Sequence, residues 1–384
     1  MRICQIGSLH HEIIRRWIKW LLERGHEVHI VVDTVPSLQD STLKMVKGAH
    51  IHVLSLNSSR INFLPFSTLY QSILSSRKII KKINPDIVHG HFVPIYGLPT
   101  IFSGNYPKVI SIWGMFDLMS WNSAGITLWK DRLIRHITLK KIDAVHSFAE
   151  NLSDIIVSLG INKEMVHTIP VGADTQNFNV QAEGSEIKSL FELEENPTVI
   201  SIRQMAPVYN VECLINAIPI IIKRVPLTKF VIKTGSMENK YWINKLKNKV
   251  KEMNLQDYVK FIDYVPYEDL PKYLACADVY VSTSLFDGLG ISNIEALACG
   301  TPAVLADIDS TRNLIKKGLH AHLYPPKDSK ALAKEIISSI KNREKNDKEI
   351  HKENFEIIKK HYDFDNNMEK IEQLYKNLIE RHKK

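Results

Sequence analysis

The sequence has little of what would tie it to a membrane, a secretory route or a metal. Cysteine occurs four times in 384 residues. Cys4, Cys213, Cys276 and Cys299 lie far apart in apolar surroundings, with neither CxxC nor another metal-ligand spacing. They argue for a reducing, cytoplasmic setting. No apolar run approaches the roughly eighteen residues of a membrane span. The first residues read as a strand, not as a charged segment followed by an apolar one, so no secretory signal is expected.

Charge is present in excess but selects no partner. The formal net charge is +8, from 50 basic and 42 acidic residues, which would suit nucleic acid, anionic lipid or a phosphate-bearing substrate alike. Much of the excess falls in Arg77 to Lys82 and Lys240 to Lys251, whose spacing fits solvated helix faces. Nucleic acid is therefore not expected. With 44% hydrophobic and 24% charged residues the chain is globular, and its length calls for two cores.

Short β-branched runs alternate with longer amphipathic stretches: Arg2 to Gly7, Ile13 to Arg24, Glu27 to Val32, then Asp86 to Gly90 and Lys108 to Trp113. This βαβ rhythm continues through Asp143 to Phe148 and Met165 to Pro170 and implies a parallel sheet. A polar stretch without a strand candidate follows. A second series then runs through Thr198 to Ile202, Lys229 to Thr234, Val259 to Ile262, Asp278 to Thr283 and Pro302 to Ala306. The expected class is α/β, with residues 1–173 as one Rossmann-like doubly wound domain, 174–196 as a linker and 197–350 as a second such domain. Residues 351–384 read as C-terminal helices that could return to the first domain. Doubly wound sheets bind ligands at the carboxyl ends of their strands, and two facing domains would enclose a cleft.

The stretch Asp278 to Val304, DVYVSTSLFDGLGISNIEALACGTPAV, carries the most information. A strand ends near Thr283, a glycine-bearing loop follows, and a helix starts near Ser292, whose hydroxyl can cap it. Amides at that helix start, with Gly288 and Gly290 permitting close approach, suit a phosphate or pyrophosphate. Asp287 and Glu295, eight apart, can face one ligand. Carboxylates beside a phosphate site make sense if they accept sugar hydroxyls.

This segment resembles the E-x7-E donor motif of retaining glycosyltransferases with the GT-B fold, family 4 type, with Asp in place of the first Glu. The resemblance implies that Asp287 contacts the transferred sugar, that Gly288, Leu289, Gly290, Ile291 and Ser292 hold its diphosphate, and that Glu295 holds the ribose. A second match is Ser201 to Ala217, SIRQMAPVYNVECLINA. Arg203 takes the place of the family's diphosphate-binding arginine, for which a forked guanidinium is suited. The lysine usual about five residues on is missing, and Tyr209 and Asn210 stand there as neutral hydrogen-bonding groups. Lys233 and Gly235 fall where the family lines the nucleotide site, and Val265 where its chain passes the base.

In the first half, RICQIGSLHHEIIRRWIKWLLERGHEVHIVVD is similar to the family's opening βαβ unit. Gly7, His10 and His11 fall in the loop facing the substrates, with Arg16 shortly after, and Gly25 reads as a helix C-cap. The segment PDIVHGHFVPIYG offers His91 as a substrate-orienting histidine. VISIWGMFD places Trp113 and Asp117 on the acceptor side, unless Asp117 is only a helix N-cap.

The implied reaction moves a hexose-type unit from a nucleoside diphosphate sugar to an acceptor hydroxyl with retention. Arg203, Asp287, Glu295 and His91 are the expected catalytic set, without metal or other cofactor. UDP is the expected carrier. The acceptor stays open between a lipid-linked glycan, a polysaccharide precursor and a small molecule. The amphipathic segment Phe66 to Ile83 permits a peripheral contact with anionic lipid at the inner membrane face. The competing readings are a catalytically weak sugar-nucleotide-binding module and a sugar-nucleotide epimerase on the same fold.

Overall fold

The computed structural model describes residues 1–34, 45–54, 66–118, 126–193, 196–235, 240–342 and 348–384. The chain divides into two compact units, one of Met1–Val171 with Asp365–Lys384 and one of Gly172–Phe364.

The first unit runs β1 (Arg2–Ile6), α1 (Glu12–Glu23), β2 (Glu27–Val32), β3 (His50–Val53), α2 (Phe66–Ile83), β4 (Ile87–His91), α3 (Val93–Ile101), β5 (Lys108–Ile112), α4 (Ile126–Lys141), β6 (Ala144–Ser147), α5 (Glu150–Ser158) and β7 (Val166–Thr168). Its sheet has the order β3-β2-β1-β4-β5-β6-β7, and every pairing is parallel. Ile3, Ile30, Val88 and Ile110 are fully buried, as expected of strands covered on both faces.

The second unit contains α6 (Ser185–Leu190), β8 (Thr198–Ser201), α7 (Val211–Ile222), β9 (Lys229–Lys233), α8 (Lys240–Glu252), β10 (Val259–Ile262), α9 (Leu270–Ala275), β11 (Val279–Ser282), α10 (Ile291–Ala298), β12 (Ala303–Ala306), α11 (Asp309–Lys316), β13 (His322–Tyr324), α12 (Ser329–Lys341) and α13 (Lys348–His361). Its parallel sheet has the order β10-β9-β8-β11-β12-β13. In both sheets the order reverses beside the unit's first strand, the arrangement of the doubly wound dinucleotide-binding fold. The lysines of α8 stand opposite a buried stripe of Ile243, Leu246 and Val250. None of the described helices is long and apolar enough to cross a membrane.

Two features differ from the reading of the sequence. The stretch expected to link the domains packs onto the second unit: Phe178 is fully buried, 4.9 Å from the Tyr267 ring, and Ile187 of α6 is buried too. Edge strands β3 and β13 were not anticipated. They are three or four residues long, HIHV and HLY, and each carries histidine in place of a β-branched run. The C-terminal helices, which the sequence allowed to return to the first domain, do so: α14 (Phe364–Lys383) follows a break at Tyr362 and Asp363, and from Asp365 on it belongs to the first unit. There Tyr375 is fully buried, its hydroxyl hydrogen-bonded to the ring of His89 and 3.3 Å from Gln5 Nε2.

Candidate functional site

The switch point of the second sheet lies between β8 and β11, so the loops after these two strands are the natural ligand-binding ground. Backbone and side-chain bonds hold them together. Thr283 Oγ1 donates to the Tyr209 carbonyl at 2.7 Å, and Leu285 N donates to the Val208 carbonyl at 2.8 Å. Met205 N donates to the Thr234 carbonyl at 3.2 Å, which brings in the end of β9. Gly235 there has φ +89°, and a Cβ on it would stand 3.0 Å from the Gln204 side chain. Val265, after β10, is buried.

Arg203 is the hub. Its Nη2 meets Asp287 Oδ2 at 2.7 Å, and its Nη1 donates to Ser292 Oγ at 2.7 Å. The two side chains of the ion pair are 11% and 14% exposed. The guanidinium lies over the Tyr209 ring, 4.3 Å from its centroid, a cation–π contact strengthened by burial. Burial alone would lower the arginine's pKa, but Asp287, with Tyr209 and Tyr280, outweighs it and secures the charge. The Tyr280 hydroxyl sits 3.0 Å from both Ser292 Oγ and Asn293 Oδ1. Burial pushes its pKa up to about 12, so it stays protonated. The Nε–H and the second hydrogen on each Nη of Arg203 are not used by this network.

The start of α10 is built differently from the expected Ser cap. Gly290 is the N-cap, in the left-handed conformation with φ 72° and ψ 56°, and no side chain caps the helix. That turn puts Ser292 inside the helix with its hydroxyl on Arg203 and Tyr280. Asn293 and Ile294 donate to the Gly290 carbonyl at 2.9 and 3.4 Å, which leaves the first amides, Ile291 and Ser292, as donors at the positive end of the helix. Gly288, Leu289 and Gly290 are buried. The two carboxylates expected to face one ligand have distinct settings: Asp287 is neutralised by Arg203, whereas Glu295 is 4% exposed within the helix and already engaged by the protein.

Tyr280 and Asn293 are participants that sequence reasoning missed. Asn293 is 1% exposed and its Nδ2 is a buried donor without a partner, 2.6 Å from where a Gly290 Cβ would stand. An amide directly after the glycine loop was the available signal. Asn210 stands at the N-cap of α7 in the left-handed conformation (φ 47°) without a side-chain capping bond, and its Nδ2, the neutral donor expected there, is buried and unpaired.

In the first unit the loop after β1 is closed by Arg15 Nη1, which donates to the Leu9 carbonyl at 2.6 Å. Gly7 packs closely: a Cβ would come within 2.7 Å of Ile14 Cδ1, so that buried side chain would have to turn to admit one. His10 and His11 are exposed. The His11 ring stacks on Phe92 at 5.6 Å and meets Trp113 edge-on at 5.2 Å, while Trp113 stacks on Phe148 at 5.5 Å. Phe92, directly after β4, has φ 74°, a conformation a bulky residue holds only at a cost of about 1–3 kcal/mol. It too was missed, since nothing in its neighbours signals a positive φ.

Two expected substrate-side residues are interior. His91 is fully buried because it sits on central strand β4: its Nε2 meets Gln5 Oε1 at 2.5 Å, Trp17 covers its ring at 5.3 Å, and burial pushes its pKa down to about 3. Arg16, on the inward side of α1, is 7% exposed. Asp117 does more than cap a helix. It is 2% exposed and accepts from Val93 N at 3.0 Å, Trp113 N at 2.7 Å and Gly114 N at 3.3 Å, tying the ends of β4 and β5 together.

The family model described as Glycosyltransferase Family 4 matches residues 12–177, and that of Glycosyl transferases group 1 matches residues 183–356. Mannosylfructose-phosphate synthase of Agrobacterium fabrum is 28% identical over 50% of this chain and 43% of its own length. Alpha-monoglucosyldiacylglycerol synthase of Streptococcus pneumoniae is 21% identical over 66% of this chain and 59% of its own. The chain thus spans less than two thirds of these relatives. Among solved structures, sucrose-phosphate synthase of Thermosynechococcus elongatus superposes with a TM-score of 0.81 at 17% identity, over 99% of this chain and 100% of that one. Anabaena HepE in complex with UDP and glucose gives 0.80 at 16% identity, over 98% and 100%. With its two doubly wound units and both halves matched in order, the chain belongs to the GT-B glycosyltransferases of the family 4 type.

Proposed function

We propose that the protein transfers a hexose-type sugar from a nucleoside diphosphate sugar to an acceptor hydroxyl with retention of configuration, in the assembly of a glycan, polysaccharide or glycolipid. The observation that carries this reading is the buried Arg203 set beside the two open amides of α10. A permanent cation and a helix start aimed at one place are suited to the charge that grows on a departing diphosphate. In the proposed step the acceptor oxygen bonds to the anomeric carbon as its bond to the phosphate oxygen breaks. The acceptor's proton passes to that phosphate oxygen on the same face. Asp287 accepts from the sugar hydroxyls while Arg203 turns its unused donors to the diphosphate, and Glu295 holds the ribose. No metal enters the step.

The acceptor is assigned to the first unit, at His10, His11 and Trp113 beside the Gly7 loop, with the buried Asp117 holding the Trp113 backbone in place. The carrier base is UDP in this reading, supported by the UDP and glucose held in the HepE complex. A glycolipid acceptor, with the protein working from the cytoplasm at the inner membrane face, belongs to this reading, and the acceptor class is supported by a relative named alpha-monoglucosyldiacylglycerol synthase. The test is calorimetry and thermal shift with UDP-, GDP- and ADP-sugars on wild type, Glu295→Ala and Arg203→Lys. One base class should bind, and each substitution should weaken it by about 1–3 kcal/mol, the cost of orphaning a buried hydrogen bond. Binding without turnover under any acceptor would favour a binding module, and no binding at all would end the donor-site reading.

A further inference from the structure

The edge of the first sheet carries a side-chain cluster outside the proposed transfer chemistry. β2 and β3 run parallel with His29 opposite His50 and Val31 opposite His52. Side-chain alternation therefore sends Glu27, His29, His50 and His52 to one face. Farther along that face Val31 joins the core with Ile80 and Ile83 of α2, so the polar group is the outer end of an otherwise apolar surface. Glu27 Oε1 lies 2.9 Å from His29 Nε2, and His29 Nδ1 lies 3.0 Å from His52 Nε2. The rings of His50 and His52 stack on His29 at 4.6 and 5.3 Å. One ligand-capable atom from each of Glu27, His29 and His50 falls within 4.8 Å of the others.

We propose that Glu27, His29 and His50 form a binding site for a divalent cation of the zinc class, with His52 orienting His29. Imidazole nitrogens and a carboxylate oxygen are the donor set such an ion prefers. Tetrahedral coordination at about 2.0–2.2 Å sets neighbouring ligand atoms about 3.3 Å apart, between the 2.9 Å of the Glu27–His29 pair and the 4.8 Å that bounds the group. Binding therefore requires the exposed Glu27 and His50 side chains to rotate, the His50 ring turning out of its stack on His29. Arg2 Nε holds Glu27 Oε2 at 2.8 Å, which anchors the carboxylate and leaves Oε1 for the ion. His29 binds through Nε2 and donates Nδ1–H to His52, the outer-shell contact that fixes the tautomer of a metal-bound histidine. Glu27 and His50 are exposed, so the ion can enter from solvent, with water completing its shell. Because β3 is an edge strand with one neighbour, an ion bridging β2 to β3 would pin it.

The test uses full-length, tag-free, metal-free protein, titrated with Zn²⁺ in a calorimeter and with Co²⁺ in a spectrophotometer. Expected are one ion per chain, visible cobalt bands of a low-coordinate site and a higher thermal midpoint on binding. His50→Ala and Glu27→Gln, both at exposed positions, should retain the far-UV circular dichroism of the wild type and lose at least about tenfold in affinity. His52→Ala should lose about 10- to 100-fold, as outer-shell substitutions do. No stoichiometric binding by the wild type would overturn the proposal. So would binding that survives unchanged in both ligand variants, which would assign the ion to others of the 16 histidines.

Discussion

Asp117 shows how one side chain can fix two strand ends. Its carboxyl accepts three backbone N–H groups, and an asparagine would present an NH₂ to one of them. Asp117→Asn should therefore cost about 1–3 kcal/mol in urea unfolding. Burial pushes the carboxyl up to about 7, against the pull of those three amides, from a usual value of 3.8. A folded pKa above the unfolded one gives stability that is full below the unfolded value and is lost as pH rises through the folded value. The gap between wild type and Asp117→Asn should accordingly narrow between about pH 4 and pH 7. A gap that stays constant over this range would refute the shift.

At the level of elements, the start of α10 depends on Gly290. Its φ of +72° and the 2.6 Å approach of Asn293 Nδ2 oppose any side chain. Gly25 has nearly the same φ, +75°, with nothing within 4 Å of where a Cβ would stand. Gly25→Ala should lose about 1–2 kcal/mol, the cost of a left-handed residue bearing a Cβ, and Gly290→Ala distinctly more. Equal losses in chemical denaturation would mean that Asn293 yields freely. This joint was legible in the sequence because a strand, a glycine loop and a helix lie consecutively, and Asp287, Gly290 and Glu295 announce it. Arg203 was legible by its position after β8. What joins Arg203 to Tyr280 and Ser292 was not, since those contacts arise from the pairing of β8 with β11, about eighty residues away. For the same reason the histidines of β2 and β3, about twenty residues apart, declared nothing until the register placed them together. The inward turn of His91 was hidden by strand alternation: the pattern of β4, IVHGH, is polar on a face that Trp17 and Gln5 nevertheless bury.

Across the whole molecule, all four cysteines are free and buried, Cys4 in the first unit and the other three in the second. Burial pushes the thiols of Cys4 and Cys276 up to about 12 and that of Cys213 to about 11, with Cys299 raised as well. Thiolate, the reacting species, is then scarce at neutral pH. Native protein should give no fast reaction with Ellman's reagent, whereas denatured protein gives four equivalents. Early appearance of a single equivalent at low denaturant would report the first unit opening alone. That unit is discontinuous in sequence, because Tyr375 of α14 supplies the partner for His89 and Gln5. During vectorial synthesis the first 171 residues leave the ribosome without that partner. They must wait until the second unit, contiguous and able to close by itself, has been made, so the half translated first is the half completed last.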